Sequence, residues 1–214
     1  MRCASMVLAM AAVLLASAGA LAKQWDFEDA TAGKLPEGWT AAKTGTGPGS
    51  VWKVVDDATA PKGPKVLAQT SSEGPRPLYN LCVAEGTSLA NVELSVAIKA
   101  VQGKIDQGGG LVWRYKDAGN YYVVRVNPRE ANFRLYKVVG GKRTQIASAD
   151  VEPLPRKWQT IRVVHQGDHI RCWLDGQLEI DAKDATLREP GRIGLWTKAD
   201  AVSHFDNLSA GEVK

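Results

Sequence analysis

Five arginines, each near the middle of a strand-like run, are the residues best able to do chemistry in this chain: Arg114, Arg125, Arg134, Arg162 and Arg171. Their runs are Gly110–Tyr115, Asn120–Asn127, Asn132–Val139, Trp158–His165 and His169–Leu174, all rich in β-branched and aromatic residues. Side chains alternate across a strand, so parity separates an apolar set (Leu111, Trp113, Tyr115, Tyr122, Val124, Phe133, Leu135, Ile161, Val163, Ile170, Cys172) from the arginines. The five strands read as one antiparallel ladder, and its second face presents the arginines among Tyr121, Asn127, Tyr136 and Trp173. Two readings are open. Antiparallel sheets commonly leave one face wet, which gives a solvated arginine face. Guanidinium forks interleaved with flat rings also suit a sugar or an anionic glycan, through bidentate hydrogen bonds and stacking.

Other chemistries find less support. Glu179, Asp181 and Asp184 follow the Asp175-Gly176 turn, and Glu179 and Asp181 share a strand face, which reads as a solvated edge strand. No carboxylate falls on the arginine face by parity. His165, His169 and His204 lack zinc spacing, no Gly-x-Ser-x-Gly elbow occurs, and Gly108-Gly-Gly110 lacks the lysine of a phosphate loop. Cys82 and Cys172 read as buried thiols or as a bridge, the sequence leaving both open.

The elements that must position these groups are many short strands. Asp117-Ala-Gly-Asn120, Gly140-Gly141, Gly167-Asp168 and Asp175-Gly176 supply tight-turn residues between them. Further strands are expected at Trp25–Glu28, Val51–Val55, Lys65–Gln69, Tyr79–Val83, Val92–Ala100, Gln177–Ile180, Arg192–Trp196 and His204–Leu208. No stretch sustains a helical period over ten residues, so the chain is expected to be all-β, with two antiparallel sheets packed as a sandwich or jelly roll.

The chain has 214 residues and a formal charge of +4, with 44% apolar residues, enough for one domain over residues 23–214. Residues 1–22 read as a signal peptide: Arg2, an apolar run from Met6 to Leu15, then Ala20-Leu21-Ala22. Its removal would leave +3, since Arg2 is its one charge. A secreted or periplasmic monomer is expected, with a glycan as partner, no nucleic acid bound and no membrane span after cleavage.

Gly110–Tyr115, Asn120-Tyr-Tyr122, Arg134–Val139, Trp158–Arg162, Trp173–Gly176, Gly191–Trp196 and Phe205–Leu208 together resemble the concanavalin A-like superfamily. Within it the chain is most similar to secreted bacterial 3-keto-disaccharide hydrolase domains, grouped with laminin-G-like modules and family-16 glycoside hydrolases. The resemblance spans nearly all of residues 25–208. It implies a curved jelly roll whose concave sheet faces a glycan, to be bound or, alternatively, hydrolysed. An adhesion or scaffold module using the same face is a third reading. Such jelly rolls often tie first and last strands through a hard cation, which implies a structural calcium near Glu28 and Asp206. The Glu-x-Asp-x-x-Glu strand of family-16 enzymes has only a near match, Glu179-Ile-Asp181-Ala-Lys-Asp184, which departs from it by ending in Asp and lying late in the chain.

Overall fold

A computed structural model describes residues 22–213. Of the expected signal peptide, residues 1–22, residues 1–21 lie outside them. No helix occurs among the described residues, and none is therefore long and apolar enough to cross a membrane.

The strands run β1 Lys23–Trp25, β2 Trp39–Thr44, β3 Trp52–Asp56, β4 Lys65–Gln69 and β5 Tyr79–Leu89. They continue as β6 Val92–Gln102, β7 Gly109–Asp117, β8 Asn120–Asn127, β9 Asn132–Val139 and β10 Lys142–Asp150. The last are β11 Trp158–Gln166, β12 His169–Leu174, β13 Gln177–Lys183, β14 Gly191–Lys198 and β15 Val202–Glu212. The first sheet has the order β13-β12-β11-β6-β15-β4-β3, with β1 also paired to β15; the second has the order β10-β9-β8-β7-β14-β5-β2. All named strand pairs are antiparallel, as expected of the jelly-roll sandwich.

The main core lies between the sheets. Trp113, Tyr122, Val124, Phe133 and Leu195 of the second meet Leu94, Ile161, Val163, Ile170, Cys172 and Phe205 of the first. Burying such side chains contributes about 1.5–3 kcal/mol each. Trp113 stacks on Tyr122 at 5.7 Å between centroids, and its indole Nε1 donates to His165 Nδ1 at 2.9 Å. Cys82 and Cys172 are both buried free thiols.

The expectation of one arginine sheet is overturned. β7, β8 and β9 belong to the second sheet and β11 and β12 to the first. The segment 151–157, with Pro153 and Pro155 unable to donate to a ladder, carries the chain from the edge of one sheet into the other. The outer faces point away from each other, so Arg162, Arg171 and Trp173 lie on the opposite side of the sandwich from Arg125 and Arg134.

The second sheet curls strongly. β2 and β8 are four strands apart, about 19 Å if the sheet were flat. Yet Thr44 on β2 shares a hydrogen bond of 2.8 Å with the Tyr121 hydroxyl on β8 and donates to the Ala118 carbonyl. A threonine and a tyrosine side chain together fall well short of that gap, so the sheet must roll inward on its outer face. The rolled face holds a second apolar cluster: Leu81, Val83, Val112, Tyr115, Tyr121, Val123, Tyr136, Val138 and Trp196.

Candidate functional site

The candidate site lies at one end of this concave face, where β8 and β9 run into the loops around them. Arg125 on β8 is 2% exposed. Its Nη1 donates to Asn132 Oδ1, and its Nη2 bonds Glu130 Oε2 at 2.7 Å and the Tyr136 hydroxyl at 3.4 Å. Arg134 stands opposite Arg125 in the β8–β9 register and reaches the same Glu130 oxygen at 3.3 Å. Asn127 Oδ1 accepts the Arg129 and Glu130 amides, which folds the β8–β9 turn so that Glu130 points back onto the strands. Asn127 Nδ2 donates to Asp106, which pairs with Lys198 at 2.7 Å.

Parity analysis placed no carboxylate on this face. Glu130 and Asp106 are on it because turns deliver them: Glu130 from the β8–β9 turn, Asp106 from the segment before β7. Burial would raise the Glu130 carboxyl, but the Arg125 charge and its hydrogen bond outweigh that and hold it below the usual range.

Beyond Tyr136 lies an aromatic floor. Arg143, on β10, sets its guanidinium 4.3 Å from the Tyr136 ring centre, 4.9 Å from Tyr79 and 5.9 Å from Trp196. Each distance is within cation–π range. Sequence reasoning missed both Arg143 and its strand, because Lys-Arg-Thr-Gln lacks the apolar alternation of a buried strand. β10 is an edge strand, where polar residues are the rule. Arg125 Nε and Arg143 Nη1 are buried and have no hydrogen-bond acceptor in the protein. Such idle donors are uncommon in folded proteins.

Of the nine residues expected to bind ligand, Arg125, Asn127, Arg134 and Tyr136 come together here. Tyr121 lies on the same face but is fully buried, with its hydroxyl bonded to Thr44 and its pKa raised by burial. Arg114 does not face the groove. A β-bulge between Trp113 and Asp117 puts Arg114 in the left-handed region at φ 45° and turns Tyr115, expected in the main core, outward onto Tyr121 at 6.0 Å. The Arg114 guanidinium instead donates to the carbonyls of Ala90, Leu187 and Gly167 at 2.8, 2.7 and 3.1 Å. It floors a cleft of about 370 Å³ at the sandwich end, lined also by Asn91, Asp168 and Arg188. On the first sheet's outer face, Arg162 and Arg171 flank the Trp173 ring at 4.3 and 5.6 Å, and Arg162 pairs with Glu93. That group lies on the far side of the molecule from the concave face. Glu179 and Asp181 lie on β13, an edge strand, with Asp181 bonded to His169 at 2.6 Å.

The residues expected at a cation site do come close. Glu28 Oε1 accepts the Lys65 amide at 2.8 Å, and Asp206 Oδ2 accepts the Lys62 amide at 2.9 Å, so one loop bridges both. Burial raises the fully buried Asp206 carboxyl, and the charges of Glu28 and Asp26 add to this. Carboxylates crowded in this way suit a hard cation. Among the described residues no group of three or more His, Cys, Asp or Glu side chains forms a ready metal cage, so backbone carbonyls or water would complete the coordination. Lys65 Nζ already takes the Glu28 and Ala30 carbonyls.

The chain is 30% identical over 120 residues to a levanase of Bacillus subtilis (strain 168), covering 55% of this chain and 17% of the levanase, so it spans less than a fifth of that relative. In structure it is similar to the carbohydrate binding module CBM66 from Bacillus subtilis (TM-score 0.65, 23% identity, 81% of this chain and 95% of that one). It is also similar to the cellulose induced protein Cip1 (TM-score 0.62, 12% identity, 89% and 98% covered) and to a xylan β-1,4-xylosidase from Bacillus halodurans C-125 (0.57, 14%, 88% and 39%). At these identities the likeness is one of fold. A family model described as the 3-keto-alpha-glucoside-1,2-lyase-like domain matches residues 26–210, and the chain belongs to that family.

Proposed function

We infer that this is an exported carbohydrate-recognition domain that takes a glycan at the Arg125, Glu130, Arg134 and Tyr136 end of its concave sheet. The observation that carries this is the Arg125–Tyr136–Arg143 arrangement: two guanidiniums with idle donors at 5.9 and 4.3 Å from the centre of one aromatic ring. Forked donors fix hydroxyl or carboxylate oxygens, and a ring face stacks on a sugar's C–H face. The levanase match and the likeness to a carbohydrate binding module support a carbohydrate ligand. Arg2 followed by the apolar run of residues 6–15 supports export, with the domain acting as a monomer.

Cleavage of a glycoside is the second reading, favoured by the family and by the two carboxylates at the site. Binding alone is preferred, because a glycosidase needs one carboxyl kept protonated to supply the leaving oxygen. Glu130 is shifted the other way by Arg125, and Asp106 is occupied by Lys198 and Asn127. The test is a glycan array on the purified domain, with mass spectrometry of each bound glycan after long incubation. Intact bound glycans are expected. Shortened or unsaturated products would replace this reading with the enzymatic one, and no binding to any glycan would remove both.

A further inference from the structure

The idle hydrogen-bonding capacity at the concave face is of one kind. Arg125 Nε and Arg143 Nη1 are both N–H donors, buried and without an acceptor. A neutral sugar offers hydroxyls that donate as readily as they accept; a carboxylate or sulfate only accepts. The charges are equally one-sided. Four cations, Arg125, Arg134, Arg143 and Lys198, meet two carboxylates, Glu130 and Asp106.

Those carboxylates are already taken: Glu130 by Arg125 and Arg134, Asp106 by Lys198. Arg143 forms no ion pair among the described residues and rests on the faces of Tyr136, Tyr79 and Trp196. A half-buried guanidinium held by rings alone lacks the counterion that a desolvated charge calls for. It sits on an edge strand whose side chains are mostly exposed, next to the Gly140-Gly141 turn.

Resting on the reading of this face as a glycan site, we propose that the glycan is acidic, its carboxylate or sulfate received by the Arg143 guanidinium over the Tyr136 ring. Arg143 is then the specificity-determining residue, with Arg125 and Arg134 positioned for the hydroxyls around the anion.

The test titrates the purified protein, wild type and Arg143→Gln, with three probes: tetragalacturonate, its fully methyl-esterified form, and a sulfated oligosaccharide of similar length. Neutral glucan and fructan oligosaccharides serve as controls. Wild type is expected to bind at least one acidic probe about tenfold or more tightly than the ester and the neutral sugars, the scale of one charge-assisted hydrogen bond. Arg143→Gln should erase that preference, and raising salt should weaken acidic binding in wild type more than in the variant. Arg143→Lys keeps the charge without the fork, so it should retain part of the preference, which separates loss of charge from loss of fold. Equal binding of acid and ester, or a preference that survives in Arg143→Gln with an unchanged melting temperature, overturns the proposal and leaves the glycan site standing. Failure of every acidic and neutral probe to bind overturns the site itself.

Discussion

Arg125 and Arg134 face each other directly across β8 and β9 and divide one carboxylate oxygen of Glu130, at 2.7 and 3.3 Å. Like charges opposed in a sheet repel, so Glu130 is the group that makes this pairing tolerable. Glu130→Gln should lower stability by about 1–3 kcal/mol, because Arg125 is buried and would keep its charge with no counterion. Urea unfolding of the variant measures this; a midpoint within error of wild type would show that the two arginines do not depend on Glu130.

Arg134 is one-third exposed and makes a single ion pair, so Arg134→Ala should change stability by less than about 1 kcal/mol. Glycan affinity should fall by about 1–3 kcal/mol. Arg125→Ala behaves differently from what its strand position suggests. It strips partners from Asn132, Glu130 and Tyr136 together, so it should destabilise the fold as well as the site, visible as a lowered melting temperature. Unchanged binding by Arg134→Ala would move the ligand elsewhere.

His165 is buried, and desolvation, helped by the Arg114 charge, pushes its pKa from 6.5 to about 4. Above about pH 6.5 the folded and unfolded chains are both neutral at this residue. Between about 6.5 and 4 the unfolded chain takes up a proton that the folded chain refuses, so stability falls as pH falls, by on the order of 3 kcal/mol across the window. Below about 4 both states are protonated and this loss stops. Proton NMR of the folded protein should find the His165 imidazole still neutral at pH 5, and a His165 ring that titrates near 6.5 would contradict the assignment.

Calcium bound at Asp206 and Glu28 would stabilise the fold by about 2.7 kcal/mol at a hundredfold excess over its dissociation constant, raising the melting temperature by about 5–10 °C. Asp206→Asn should abolish the response. A melting temperature indifferent to saturating calcium would mean that Lys65 and the loop amides neutralise this corner unaided.

The strands were legible because alternation is a local property: Tyr122, Val124 and Val126 face the core as parity predicts. What parity cannot carry is which sheet a strand joins. Arg162 and Arg134 look alike along the chain, and only the crossover after β10 sends them to opposite sides. Against β14 one extra residue lies between Val112 and Tyr115, beside Arg114, and it undid the reading of Tyr115, since one extra residue inverts the side chains that follow it. Glu130 and Asp106 were invisible as site residues because turn geometry, not spacing along a strand, brings them to Arg125 and Lys198. Arg143 was hidden by the polarity that an edge strand requires.

The division of the arginines between two outer faces makes them thermodynamically separate. Arg125 and Arg134 share Glu130, so their combined replacement should depart from the sum of the single effects. Arg134 and Arg162 share no partner and have the sandwich between them, so their effects should add within about 0.5 kcal/mol. Each side of the molecule is thus free to change its chemistry without the other registering it.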